Sequence, residues 1–66
     1  MSGNNLNQKI KNLREALGLT RKEFAKRLNV SVSTISRWES GERIPNLYHL
    51  KKIIEVFRVK PEHLLK

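Results

Sequence analysis

At 66 residues, the chain has the length of one domain, near the lower limit at which a protein folds without disulfides or metal ions. It contains no cysteine, which excludes disulfides and thiolate zinc sites and fits a reducing compartment. Fourteen Lys and Arg residues against six Asp and Glu residues give a formal net charge of +8, which favours a polyanionic partner such as nucleic acid.

The N-terminal segment MSGNNLNQ lacks the charged and apolar regions of a secretory signal, and no apolar run approaches the roughly 20 residues that span a bilayer. We therefore expect a cytoplasmic protein that does not enter a membrane. We expect residues 1–66 to form a single domain, with residues 1–4 as a disordered or tag-derived N-terminus.

The first predicted helix has one apolar face at the helical step of about 100° per residue. This face is formed by Leu6, Ile10, Leu13 and Leu17. Asn4 or Asn5 can cap the start of the helix, and Gly18 follows its last turn.

A second helix is predicted to begin after Thr20, because Glu23 follows three residues later at the spacing of a capping box. Its apolar side chains are those of Phe24, Ala25 and Leu28. Asn29 tolerates the left-handed backbone conformation and can turn the chain before Ser31 caps the next helix. The second and third helices are therefore expected to meet through a tight turn.

The third helix is predicted over residues 32–40 and ends at Gly41. Asn46 can cap a fourth helix, and Pro61 suits the first turn of a short fifth segment. The apolar side chains of these two elements are Leu47, Leu50, Ile53, Ile54, Phe57, Leu64 and Leu65. The sequence thus predicts an all-α fold, a compact five-helix bundle with a core drawn from every helix.

The third helix has two different faces. Thr34, Ile35, Trp38 and Glu39 lie on one side, and Val32, Ser33, Ser36, Arg37 and Ser40 lie on the other. The second set offers a methyl group, hydroxyls and a guanidinium, which are groups that bind the edges of DNA bases. The alternative is an ordinary solvated face. Trp38 falls among the core residues by its angle, so packing is favoured over base stacking for this side chain.

From about Leu6 to Leu65, the chain resembles the Cro and phage-repressor (XRE) type of helix-turn-helix DNA-binding domain. Three segments in register carry the match, namely LTRKEFAKRL, VSVSTISRWESG and IPNLYHL. The resemblance implies a lambda-repressor-like bundle in which helices 2 and 3 form the helix-turn-helix. It also implies sequence-specific binding to a double-stranded DNA operator through the major groove, and a role as a prokaryotic or phage transcriptional regulator, most often a repressor.

The resemblance implies base contacts from the start of the third helix, by Val32, Ser33, Ser36 and Arg37. It implies phosphate contacts by Thr20, Arg21, Thr34, Ser40, Arg43 and Asn46. Arg21 departs from the Gln of many relatives; it can bind phosphate through charge or guanine as a bidentate donor, and we favour phosphate. Asn46 can cap the fourth helix through its oxygen and still leave its amide group for phosphate.

Arg14 lies at the edge of the apolar face of helix one, and Glu39 lies on the inner edge of helix three. Opposite charges that face one interior predict a partly buried ion pair, and the resemblance implies the same pairing. We expect this pair to fix the angle of the third helix.

No enzymatic chemistry is expected, because no nucleophile lies near a base and the carboxylates are not clustered. His49 and His63 have no Cys or Asp neighbour at metal-ligand spacing, so neither a metal nor a cofactor is expected.

One recognition helix reaches only a few base pairs, so a homodimer on half-sites about 34 Å apart is expected. The predicted interface lies in helices 4 and 5 and uses His49, Val56, Phe57, Leu64 and Leu65. A monomer that pairs only on the operator is equally compatible with the sequence. The alternative function is an antitoxin or adaptor-type protein-interaction module; the sequence ends at Lys66, directly after the fifth helix, without a tail for wrapping a partner, which favours DNA binding.

Overall fold

The computed structural model describes residues 5–65, with only the backbone described at Leu65. In this part of the chain the elements are α1 (Leu6–Ala16), α2 (Arg21–Leu28), α3 (Val32–Ser40), α4 (Leu47–Phe57) and α5 (Glu62–Leu65). The all-α prediction is confirmed over these residues, which contain no strand. The expectation for residues 1–4 lies outside the described residues.

Side-chain caps fix where α2, α3 and α4 begin, at Thr20, Ser31 and Asn46. The Thr20 hydroxyl accepts a hydrogen bond from the Glu23 amide at 3.1 Å, and the Glu23 carboxylate accepts one from the Thr20 amide at 2.8 Å, so the predicted capping box is confirmed. Ser31 caps α3 by accepting from the Thr34 amide at 3.1 Å. Asn5, at the start of α1, makes no side-chain cap.

Within residues 5–65, two non-glycine residues adopt left-handed backbone conformations and end helices. Asn29 has φ 59° and ψ 44°, as its place between α2 and α3 predicted. Its neighbour Val30 donates its amide to the Ala25 carbonyl at 3.0 Å, which closes the turn. Arg58 ends α4 with φ 55°, a turn that the sequence did not indicate because arginine has no preference for this conformation.

The core receives side chains from all five helices, as predicted. Phe24 and Phe57 stack with ring centroids 4.8 Å apart and planes 10° apart, which joins α2 to α4. The buried core consists of Ile10, Phe24, Ala25, Leu28, Ile35, Trp38, Ile53 and Leu64. α3 packs against both α1 and α2, and α5 packs against α1. The position of α3 is therefore set by two other helices.

Two residues assigned to the apolar faces are exposed, and those assignments are wrong. Leu47 is 66 % exposed because the buried part of α4 begins one turn later, at Leu50. Leu17 is 41 % exposed and lies at the C-cap of α1, beyond its last packed turn. The helical period assigns a residue to a face, but it does not show where the neighbouring helix ends. None of the helices in residues 5–65 is long and apolar enough to cross a bilayer.

Candidate nucleic-acid interface

The two faces of α3 differ sharply in exposure. Ile35, Trp38 and Glu39 are buried against the rest of the fold, at 0 %, 4 % and 8 % exposure. The opposite side consists of four exposed residues, Val32, Ser33, Ser36 and Arg37, and is called the outer face of α3. Because the three side chains around Arg37 are short, a polyanion can approach the helix closely and meet methyl, hydroxyl and guanidinium groups.

Among residues 5–65, Arg37 has one loose ion-pair partner, Glu42. Its Nε lies 4.0 Å from Glu42 Oε2, and the two side chains are 50 % and 69 % exposed. An exposed pair at this distance contributes at most about 1 kcal/mol, so it places little restraint on the guanidinium. Arg37 is therefore available to a ligand that approaches the outer face.

A cleft of about 270 Å³ lies beside α3, between the helix and the loop that leads to α4. It brings together Thr34 and Arg37 from the helix with Arg43 and Asn46 from the loop, four residues predicted to bind DNA. The Arg43 amide donates to the Arg37 carbonyl at 3.1 Å and holds the loop against the end of the helix. We call this the α3 cleft; it carries two guanidinium groups.

Asn46 and Ser40 differ in how much of their side chain remains for a ligand. Asn46 caps α4 through Oδ1, which accepts from the His49 amide at 2.9 Å, and leaves its amide group for another acceptor. The Ser40 hydroxyl donates to the Arg37 carbonyl at 3.1 Å and accepts from the Glu42 amide at 3.2 Å. Ser40 is thus a poorer phosphate ligand than the sequence suggested, because its hydroxyl already closes the end of α3.

Thr20 and Thr34 both use their hydroxyls locally. The Thr20 hydroxyl accepts a hydrogen bond from the Glu23 amide. The amide of Thr20 in turn holds the pKa of the Glu23 carboxyl below its ordinary value. The Thr34 hydroxyl lies 2.9 Å from that of Ser31, within the cap of α3.

Glu39 is a buried carboxylate that binds two arginines. Arg14 Nε lies 2.6 Å from Oε2, and Arg14 Nη2 lies 3.3 Å from Oε1. The hydrogen bond to Glu39 raises the pKa of Arg14 above its ordinary value. Arg21 Nε also donates to Oε1, at 3.0 Å.

The contact between Arg21 and Glu39 was not predicted. By the helical period Arg21 lies in line with Phe24, Ala25 and Leu28, which indicates an inward side chain, but a residue in the first turn can also point past the helix end. In the structure the side chain of Arg21 reaches inward to the buried carboxylate of Glu39 and still remains 47 % exposed.

The family model described as "Helix-turn-helix" matches residues 10–64, which include α2, α3 and the turn between them. The chain belongs to this family. The XRE-type helix-turn-helix resemblance carried by the three sequence segments is thereby confirmed.

Three curated relatives of this helix-turn-helix domain are similar over most of its length. The HTH-type transcriptional activator BcrR of Enterococcus faecalis is 42 % identical over 59 residues, which are 89 % of this chain and 29 % of the relative. The HTH-type transcriptional regulator ImmR of Bacillus subtilis is 32 % identical over 91 % of this chain and 47 % of its own length. The phage CTXphi transcriptional repressor RstR of Vibrio cholerae is 25 % identical over 89 % of this chain and 53 % of its own length. The chain thus spans about half or less of the length of these relatives.

The helix-turn-helix domain buries one of the residues that were predicted to pair protomers. Leu64 is 3 % exposed in the core, whereas Phe57 is partly buried in its stack on Phe24. The prediction for Leu64 is wrong, because α5 packs back on α1. Val56 remains 38 % exposed, and the side chain of Leu65 lies outside the described residues.

Three other large apolar residues of the helix-turn-helix domain are exposed close together in the chain. They are Ile44, Leu47 and Tyr48, at 75 %, 66 % and 65 % exposure. We call them the α4 apolar patch. The neighbouring His49 ring packs beside two aromatic rings, and its centroid lies 5.2 Å from that of Trp38 and 5.3 Å from that of Tyr48. Over the described residues, no group of three His, Cys, Asp or Glu side chains is placed to hold a metal ion.

Proposed function

We propose that this domain binds double-stranded DNA in a sequence-specific manner, with the outer face of α3 in the major groove, and that it regulates transcription. Val32, Ser33, Ser36 and Arg37 contact base edges. Thr20, Arg21, Thr34, Arg43 and Asn46 contact the sugar-phosphate backbone. The proposed role is binding, without a catalytic step or a cofactor.

The observation that carries this proposal is the exposure of short side chains on α3 beside a cleft with two arginines. If α3 lay at the surface only because its other side packs in the core, its exposed side would require neither Arg37 on the helix nor Arg43 on the adjacent loop. The formal net charge of +8 adds a favourable long-range field for a polyanion. The left-handed turn at Asn29 and the buried side of α3 hold the outer face in one orientation.

The relatives support a regulatory role but differ in its direction. BcrR is named an activator, ImmR a regulator and RstR a repressor. We propose repression for this domain, in which bound protein excludes other proteins from the operator. Such a role places the protein in the cytoplasm.

We also propose that two copies bind adjacent half-sites. The longest dimension of the domain, 31 Å, is close to the spacing of about 34 Å between half-sites one helical turn apart, and we propose a contact between the two copies. The exposed apolar side chains of the α4 apolar patch and Val56 are the surface for that contact. A protein-interaction module of the antitoxin or adaptor type is the competing function, and it would use the same patch without DNA.

The direct test measures binding to duplexes selected from a random pool, by fluorescence anisotropy at several salt concentrations. Arg37→Ala is expected to weaken binding to the selected duplex by about 1 to 3 kcal/mol and to relax the sequence preference at one or two base pairs. Arg43→Ala is expected to weaken selected and random duplexes alike, because it removes a backbone contact.

Lys60→Ala is the charge-matched control, since Lys60 is exposed in the turn between α4 and α5 and away from the α3 cleft. It should change affinity less than either arginine variant. A wild-type chain that binds no duplex at low salt, or whose binding ignores salt, contradicts the proposal and favours the interaction module.

A further inference from the structure

We propose that Glu39 is a positioning residue that holds Arg21 as a preorganised phosphate-binding group at the start of α2. In this arrangement Nε of Arg21 stays on Glu39, and the two terminal amino groups bind one phosphate of the DNA backbone. This inference rests on the proposed DNA-binding function and adds a specific mechanism to it.

The charge balance around Glu39 leaves Arg21 in excess. Arg14 is 11 % exposed and uses all three of its nitrogens, with Nε and Nη2 on Glu39 and Nη1 donating to the Leu19 carbonyl at 2.9 Å. One buried carboxylate is therefore already paired by Arg14. The second guanidinium brings one further positive charge, which an additional anion can neutralise.

The geometry of Arg21 leaves one edge of its guanidinium for a ligand. Nε donates to Glu39 Oε1 at 3.0 Å, while the side chain as a whole is 47 % exposed. Within the described residues, Nη1 and Nη2 of Arg21 have no hydrogen-bond acceptor. A guanidinium presents its donors in a rigid fork that matches two oxygens of a phosphate.

Anchoring at Nε affects affinity through conformational entropy. A long arginine side chain that is free in solution loses rotamer freedom when it binds a phosphate. Since Glu39 already restricts Arg21 in the free protein, less freedom remains to be lost on DNA. A lysine at this position keeps the charge, but its donors radiate from one nitrogen, so it lacks the rigid fork that presents one edge to Glu39 and another to phosphate.

Arg21→Lys separates this mechanism from a simple effect of charge. We expect affinity for both selected and random duplexes to fall by about threefold to tenfold. A loss of this size follows because one side chain must now be immobilised on binding. The slope of log Kd against log salt should stay close to wild type, since the charge is kept. Arg21→Gln should lower that slope by about 0.9, the value for one phosphate contact.

Arg27→Lys is the matched control on the same helix, because Arg27 is exposed and makes no ion pair with Glu39. It should bind as wild type does. If Arg21→Lys also binds as wild type does, while wild type binds duplex DNA with a steep salt dependence, the preorganisation is wrong and the proposed function stands. If wild type itself binds no duplex at low salt, the proposed function fails.

A second measurement needs no variant. In nuclear magnetic resonance spectra of the free wild-type protein, the Nε–H signal of Arg21 should exchange with water more slowly than that of Arg27, because it is hydrogen-bonded to a buried carboxylate. Adding a short duplex should shift the Nη signals and leave the Nε–H protected. Equal exchange of the two Nε–H groups in the free protein overturns the inference.

Discussion

Glu39 connects three helices through one carboxylate. It lies on α3, while its partners Arg14 and Arg21 lie on α1 and at the start of α2. The packing of α3 and the proposed phosphate contact of Arg21 therefore involve the same residue. An apolar residue at this place could fill the space but could not bind either arginine.

Glu39→Ala is expected to lower the free energy of unfolding by about 3 to 5 kcal/mol, because it leaves the nearly buried Arg14 without its counter-charge. For a domain of this size such a loss lowers Tm by more than about 10 °C, which calorimetry can measure. Glu55→Ala removes the same kind of group from an exposed position on α4 and should change stability by about 0.5 kcal/mol or less. An unchanged Tm in Glu39→Ala would show that the pair contributes nothing to the fold.

The sequence identified one of the two partners of Glu39. The 3.6-residue period places both Arg14 and Glu39 on inner edges, so their meeting is a consequence of helix packing. Arg21 lies in the first turn of α2, where the period does not decide between the interior and the helix end. Only the angle between α2 and α3 brings its Nε to the carboxylate, and that angle is a property of the assembled core.

At the scale of whole elements, the sequence predicted the helix boundaries well because caps are local. Thr20 and Ser31 each bond an amide three residues along the chain, and the turn at Asn29 depends on a single residue. The turn at Arg58 was missed for the same reason, since nothing in its residue type indicates a left-handed conformation. Local chemistry fixes an element when a specialised residue carries it.

The capping box of α2 predicts a pH dependence of stability. The pKa of Glu23 is lower in the folded protein than its ordinary value of 4.5, because the Thr20 amide and hydroxyl favour the ionised carboxylate. The capping box therefore stabilises the fold fully at pH values above the ordinary pKa of Glu23. This stabilisation is lost as the pH falls through the lower pKa that Glu23 has in the folded protein.

Thermal unfolding at pH values from 6 to 3 checks this expectation. Glu23→Gln should be less stable than wild type near pH 6, and the difference in stability between the two proteins should disappear toward pH 3. Glu62→Gln is the control, since Glu62 is exposed in the first turn of α5. A stability difference between Glu23→Gln and wild type that stays constant over the whole range would show that the carboxylate is not bound in the cap.

At the scale of the molecule, the five-helix core followed from the sequence, whereas the surface left for a second copy did not. Leu64 and Phe57 are apolar and lie near the C-terminus, which suited an interface, but α5 folds back on α1 and buries Leu64. The packed part of α4 starts at Leu50, so the surface includes Ile44, Leu47 and Tyr48. Which apolar residues remain exposed depends on how the last helices dock, and periodicity does not encode that.

The most direct test of the outer face of α3 is methylation interference on an operator selected from a random duplex pool. Dimethyl sulfate methylates guanine at N7 in the major groove and adenine at N3 in the minor groove, so it reports which groove the protein enters. We expect two clusters of interference at guanine N7, with centres about 10 to 10.5 base pairs apart. Interference confined to adenine N3, or binding that is insensitive to every guanine N7, would contradict entry of α3 into the major groove.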